Sequence, residues 1–211
     1  MIGDSISCYY GKHLESMLTG KFIYDRKGGT NKLEDLDDCT NGINGGDSSM
    51  VLTYLKSVVE MDFFKPDYLV LNCGIHDTKI SGNGLQIPLG HYQDNLESIL
   101  KLAKEHGIEV VWVRTTPVNE NTPNWSKEEI DRRRCDIERY NQVADAVMNS
   151  HHISIIDLYQ FTLNLGYDIF LNVDDSVHFN DSTARLQAAF IAGAIWSFAY
   201  KVIVTIGENN A

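Results

Sequence analysis

The sequence predicts an α/β fold in which a parallel sheet lies between two layers of helices. Three observations predict it. Short apolar runs at residues 21–24, 67–73, 108–113 and 153–156 alternate with stretches of helical character at 47–60, 91–106, 126–149 and 181–200. The run at 67–73 is apolar almost throughout, which suits a strand buried on both faces. Such alternation folds as right-handed βαβ units, with helices on both faces of one sheet. The length, 211 residues, fits one domain spanning 1–211.

Each element has a local reason. Residues 21–24 (Lys-Phe-Ile-Tyr) read as a short strand. Asp47 and Ser48 are good N-caps for a helix to about residue 60, with Met50, Val51, Tyr54, Leu55 and Val58 on one face. The strand at 67–73 follows. Residues 91–106 read as a helix whose apolar face holds Leu96, Ile99, Leu100 and Ala103, and Gly107 is a natural stop. The strand at 108–113 closes on Thr115, Thr116 and Pro117. Ser126 and Glu129 form a capping box for a long helix to about residue 149. A short strand at 153–156 comes next, and Asp181, Ser182 and Thr183 open a last helix to about residue 200.

Composition narrows the function. The 29 acidic residues outnumber the 18 basic ones, giving a formal net charge of −11. A nucleic-acid partner needs clustered Lys and Arg, and the densest basic run, 127–134, is interleaved with Glu128, Glu129 and Asp131. No apolar run reaches the roughly 18 residues of a membrane span. Cys8, Cys39, Cys73 and Cys135 form no C-x-x-C pair, and their spacing fits reduced thiols in a cytoplasmic protein. Neither a G-x-G-x-x-G nor a P-loop is present, so no cofactor is expected.

Four places carry residues fit for chemistry. Gly3-Asp4-Ser5 stands at the start. Gly45-Gly46-Asp47-Ser48 leads into a helix. Gly74-Ile75-His76-Asp77 follows the buried strand, and Asp175-x-x-His178 precedes the last helix. Each alone is ordinary turn or cap chemistry. Their order, and the placing of most of them on loops at one sheet edge, resembles the SGNH (GDSL-type) hydrolases, a superfamily of esterases and lipases. The likeness covers about residues 1–198. It departs in the third block, where the family usually has Gly-x-Asn-Asp and this chain has His76.

The resemblance implies the flavodoxin-like three-layer fold of that superfamily and a role for each block. Ser5 would be the nucleophile, His178 the base that takes its proton, and Asp175 the group orienting His178. The oxyanion donors would be the backbone N–H groups of Ser5 and Gly46, with Gly45 as the alternative if the loop register differs. His76 would stand in for the family asparagine, since a neutral imidazole carries one N–H. The competing reading makes His76 structural, bonded to a backbone carbonyl. Asp4, Gly45, Asp77 and Trp125 are candidate substrate-binding residues, although Trp125 also suits a hydrophobic staple. Asp4, His76, Asp77, Asp175 and His178 could on paper ligate a metal, but no close pair such as H-x-x-x-H anchors one and Ser5 would then lack a role. His13, His91, His106, His151 and His152 read as surface residues.

Neither of the long loops at residues 78–90 and 115–125 is rich in exposed large apolar residues of the kind a long-chain lipid tunnel wants, which favours a short acyl group such as acetyl on a carbohydrate. The expected activity is therefore hydrolysis of a small-molecule or carbohydrate acyl ester. The alternatives are an acyltransferase with the same acyl-enzyme, a lysophospholipase- or thioesterase-type lipid acyl hydrolase, and a silent binding module.

Only Met1 and Ile2 precede the first block, where the resembling family has a central strand. Residues 202–206 (Val-Ile-Val-Thr-Ile) read as a strand that could fill that slot, from the same chain or from a partner in a homo-oligomer.

Overall fold

The apolar runs at 67–73, 108–113 and 153–156 do form strands of one parallel sheet. The computed structural model describes residues 1–29, 36, 39, 42–82, 84–120, 132–166, 169–171 and 175–209, without the side chains of Ser81 and residues 201–209. In chain order the elements are α1 (Ser5–Leu18), α2 (Ser48–Val58), β1 (Tyr68–Leu71), β2 (Ile80–Ser81), β3 (Gly84–Leu85), α3 (Leu89–Glu105), β4 (Glu109–Val113), α4 (Arg134–Ser150), β5 (Ser154–Ile156), α5 (Leu158–Asn164) and α6 (Asp181–Asn209). The main sheet runs β1-β4-β5, all parallel, while β2 and β3 pair as a small hairpin.

Side chains alternate across a strand, so each strand feeds both faces. Leu69, Leu71, Val110 and Trp112 pack with Val51, Leu55, Leu96 and Ala144 from α2, α3 and α4. Val70, Val111 and Val113 pack on the other side with Ile6, Tyr10, Leu14, Ala188 and Ile191 from α1 and α6. These two cores make the three layers. Leu71 is fully buried, and truncating such a leucine to alanine costs about 2–5 kcal/mol.

Met1 and Ile2 take the position beside β1. The Ile2 N–H donates to the Val70 carbonyl and the Asn72 N–H donates to the Ile2 carbonyl, both at 3.0 Å. The bridge is parallel and pairs Ile2 with Leu71. On the far side, the Lys27 N–H reaches the Met1 carbonyl at 3.0 Å. At the amino ends of the strands lies a cleft of about 880 Å³, lined in part by Phe22, Tyr24, Phe64 and Tyr68.

Three expectations give way. Residues 202–206 are helical, continuing α6 to Asn209. No proline or glycine interrupts residues 194–206, and valine or isoleucine costs a helix only about half a kcal/mol per residue. Residues 21–24 form no strand: the Lys21 and Phe22 N–H groups both donate to the Leu18 carbonyl, closing α1. The long helix begins at Arg134 rather than Ser126, whose capping box with Glu129 lies outside the described residues. The Arg134 N–H finds its acceptor in Glu120 Oε1 at 2.7 Å. No described helix is long and apolar enough to cross a membrane.

Candidate active site

The first block forms a tight entry into α1. Asp4 is the N-cap, and its Oδ1 accepts from the Ile6 N–H at 3.0 Å and the Ser7 N–H at 3.3 Å. Those bonds satisfy donors that a helix start otherwise leaves open. A Cβ on Gly3 would come within 2.8 Å of Ser7, so this turn requires glycine. Ser5 is thereby the first residue of α1. Among the described residues, no acceptor meets its N–H, which sits at the positive end of the helix dipole.

The last block meets it across the sheet edge. Ser5 Oγ lies 2.8 Å from His178 Nε2, and His178 Nδ1 lies 2.9 Å from Asp175 Oδ2. The other oxygen of Asp175 accepts from the Val177 N–H at 2.8 Å and the His178 N–H at 2.7 Å. Burial pushes the Asp175 carboxyl up, but the hydrogen bonds from the His178 ring, the His178 N–H and the Val177 N–H outweigh it and hold it below its ordinary value. The loop is pinned from outside. The Leu171 N–H donates to the His178 carbonyl, the Asn180 N–H donates to the Ile169 carbonyl, and the Phe170 and Phe179 rings stack at 5.1 Å. A hydroxyl, an imidazole and a carboxylate in this sequence can pass a proton from oxygen to nitrogen while the carboxylate holds the ring.

The glycine block turns at Gly46, whose φ of +71° suits glycine. A Cβ there would lie 2.6 Å from Met50 Sδ. The Gly46 N–H, however, is donated to Asn44 Oδ1 at 2.9 Å. The Gly45 N–H is donated to the Gly3 carbonyl at 2.8 Å. The loop is held by buried cations: Lys27 Nζ donates to the carbonyls of Cys39 and Asn44, and Arg26 donates to those of Ser7 and Ile43.

In the third block, a Cβ on Gly74 would lie 2.3 Å from Thr115 Oγ1. His76 is half-buried, and among the described residues its ring has no hydrogen-bond partner. Burial first, then the charges of Arg132 and Lys79, lowers its pKa to about 4. Its ring is therefore neutral near pH 7 and offers one N–H. The reading that ties His76 to a backbone carbonyl finds no such bond. Asp77 is fully buried and accepts the Ser48 N–H at 3.0 and 3.1 Å, bracing the start of α2. Burial raises its pKa to about 7.

Three candidate substrate contacts are thus inward-facing: Asp4 caps α1, Gly45 braces the first block, and Asp77 braces α2. Trp125 lies outside the described residues. His13, His106 and His151 pair with Asp181, Glu60 and Glu97 at the surface. Among the described residues, no three His, Cys, Asp or Glu side chains converge as a metal site. Sequence reasoning missed Tyr9, whose ring centroid lies 5.2 Å from that of His178. Its signal was available, because a residue four after Ser5 shares its helix face.

Comparison with known proteins gives the family and the fold. Residues 1–186, which contain all four blocks, match the GDSL-like lipase/acylhydrolase family. No curated protein sequence matches. Solved structures do. A lipase/acylhydrolase from Enterococcus faecalis is 25% identical, with a TM-score of 0.58 over 74% of this chain and 73% of that one. The acetyl xylan esterase AlAXEase is 18% identical, with a TM-score of 0.63 over 92% and 97%. The psychrotrophic esterase EstA from Pseudoalteromonas sp., in a structure inhibited by monoethylphosphonate, is 15% identical, with a TM-score of 0.64 over 94% and 96%. With the family match spanning the four blocks and the fold shared with these enzymes, the chain belongs to the GDSL-like lipase/acylhydrolase family.

Proposed function

We propose that this protein is a serine ester hydrolase for short-chain acyl esters, O-acetyl groups on carbohydrates among them. One observation carries the reading: the 2.8 Å approach of Ser5 Oγ to His178 Nε2, with Asp175 2.9 Å behind Nδ1. The Ser5 oxygen attacks the acyl carbonyl as His178 Nε2 takes its proton. Asp175 stabilises the imidazolium that results. The tetrahedral oxyanion is met by the Ser5 N–H and the His76 ring N–H, and by the Gly46 N–H once it leaves Asn44. The imidazolium then gives its proton to the departing alkoxide. Water repeats the sequence on the acyl-enzyme and releases the acid.

The short-acyl preference rests on the segment at residues 78–90, which contains Gly82, Gly84, Pro88 and Gly90 and whose Leu85, Ile87 and Leu89 are packed against the core instead of lying exposed. The test is burst release from p-nitrophenyl acetate together with fluorophosphonate labelling. The expected result is a burst lost in Ser5→Ala and a label mapped to Ser5. A wild-type protein that neither bursts nor labels would overturn the reading. An added polyol that captures the acyl group at the expense of free acid would make the enzyme an acyltransferase instead.

A further inference from the structure

We infer that Arg132 is a positioning residue for the third block, holding the Ile75–His76 peptide so that the His76 ring faces the oxyanion. This rests on the proposed role of Ser5 and His76. Arg132 comes from far along the chain, yet its Nε donates to the Ile75 carbonyl at 2.6 Å, and the residue is only 8% exposed. That carbonyl belongs to the peptide whose nitrogen begins His76, so fixing it fixes the backbone from which the imidazole projects.

The choice of residue is informative. Thr78 Oγ1 lies 3.2 Å from the same carbonyl but has the Gly74 carbonyl nearer, at 3.1 Å, for its single proton. Arg132 is thus the donor committed to the Ile75 carbonyl, and burying its guanidinium carries a desolvation cost that a neutral donor would avoid. The charge has targets. Arg132 acts electrostatically on Asp4, next to the nucleophile, and on His76. For His76, Lys79 and His178 push in the same direction as Arg132, and Asp47 opposes them. A His76 kept neutral is an N–H donor and not a second cation beside His178 when that ring takes the Ser5 proton. The fixed charge also adds positive potential near the site where the oxyanion forms.

The experiment compares the wild type with Arg132→Met and Arg132→Lys in the full chain. Its readouts are kcat and KM for p-nitrophenyl acetate, the rate of fluorophosphonate labelling, and the titration of the His76 ring followed by NMR. Arg132→Met is expected to lose about 10- to 100-fold in kcat and labelling rate at little-changed KM, the scale of a misplaced reacting group. Its His76 titration moves to higher pH. Arg132→Lys is expected to restore the titration but recover only part of the rate. Wild-type kcat and an unmoved His76 titration in Arg132→Met would overturn the inference. If Arg132→Met does not fold, Arg132→Lys decides: about a tenfold loss at constant KM supports the positioning role, and an unchanged kcat refutes it. Failure of the parent reading looks different, because the wild type itself would then not label.

Discussion

Gly46 donates its backbone N–H to the side-chain oxygen of Asn44 at 2.9 Å. The same Asn44 donates its amide to the Leu36 carbonyl at 2.8 Å and accepts Lys27 Nζ on its own carbonyl. Asn44 is thus a buried knot in the loop that carries a candidate oxyanion donor, and it competes with the oxyanion for that donor. Asn44→Ala removes two buried hydrogen bonds and should lower stability by about 1–3 kcal/mol. It also releases the Gly46 N–H. Activity of the folded fraction should therefore stay within about tenfold of wild type, measured with chemical denaturation alongside kcat. A loss of about 10² or more in the folded enzyme would show that Asn44 is needed for the loop's working shape.

Asp175 uses its two oxygens differently. Oδ2 faces the His178 ring, and Oδ1 accepts two backbone N–H groups that shape the loop. In Asp175→Asn the remaining carbonyl oxygen can still serve the backbone, so circular dichroism and Tm should change little. The carboxylate that fixes the tautomer of His178 is gone, and kcat should fall by about 10⁴. Retention of activity within tenfold would remove Asp175 from the proposed triad.

The strands were legible in local pattern, and the site residues in the order of their blocks. The strands at 67–73 and 108–113 announced themselves because burial on both faces demands continuous apolar residues, whereas Ser5, Asp175 and His178 stood out only through the order of their blocks and the family resemblance that order carries. What escaped depends on distant partners. The start of α4 takes its acceptor from Glu120, fourteen residues upstream. Arg132 meets Ile75 across 57 residues. Residues 202–206 carry β-branched side chains that suit a strand, yet they follow a helix with no break signal between. The filling of the slot beside β1 by Ile2 shows how little chain a parallel bridge needs: two hydrogen bonds around one residue.

Asp77 sets a pH dependence on stability. Its pKa is raised from 3.8 to about 7, chiefly by burial, with the Ser48 hydrogen bonds opposing. Between those values the folded state binds a proton that the unfolded state has released, so stability falls as pH rises through that window. The full effect is at most about 4 kcal/mol, at roughly 1.4 kcal/mol per unit. Asp77→Asn keeps an acceptor for the Ser48 N–H and carries no charge. It should raise Tm at pH 8, leave it nearly unchanged at pH 4, and flatten the slope between. Equal slopes for the two proteins would place the titrating group elsewhere.

His76 decides whether this chain replaces an asparagine amide with an imidazole. Held near pKa 4, its ring is neutral across the physiological range and can donate to an oxyanion without competing for charge with His178. His76→Ala should lower kcat by about 10²–10³, as losing one oxyanion donor does, and His76→Asn should recover most of that. Stability moves the other way in acid. The unfolded chain protonates His76 near pH 6.5 and the folded one only near 4, so the wild type loses stability as pH falls through that window and His76→Asn does not. The two effects separate a donor from a packing residue. If His76→Ala keeps kcat within about twofold while the acid destabilisation disappears, the imidazole is buried for structural reasons alone, and the oxyanion depends on backbone donors.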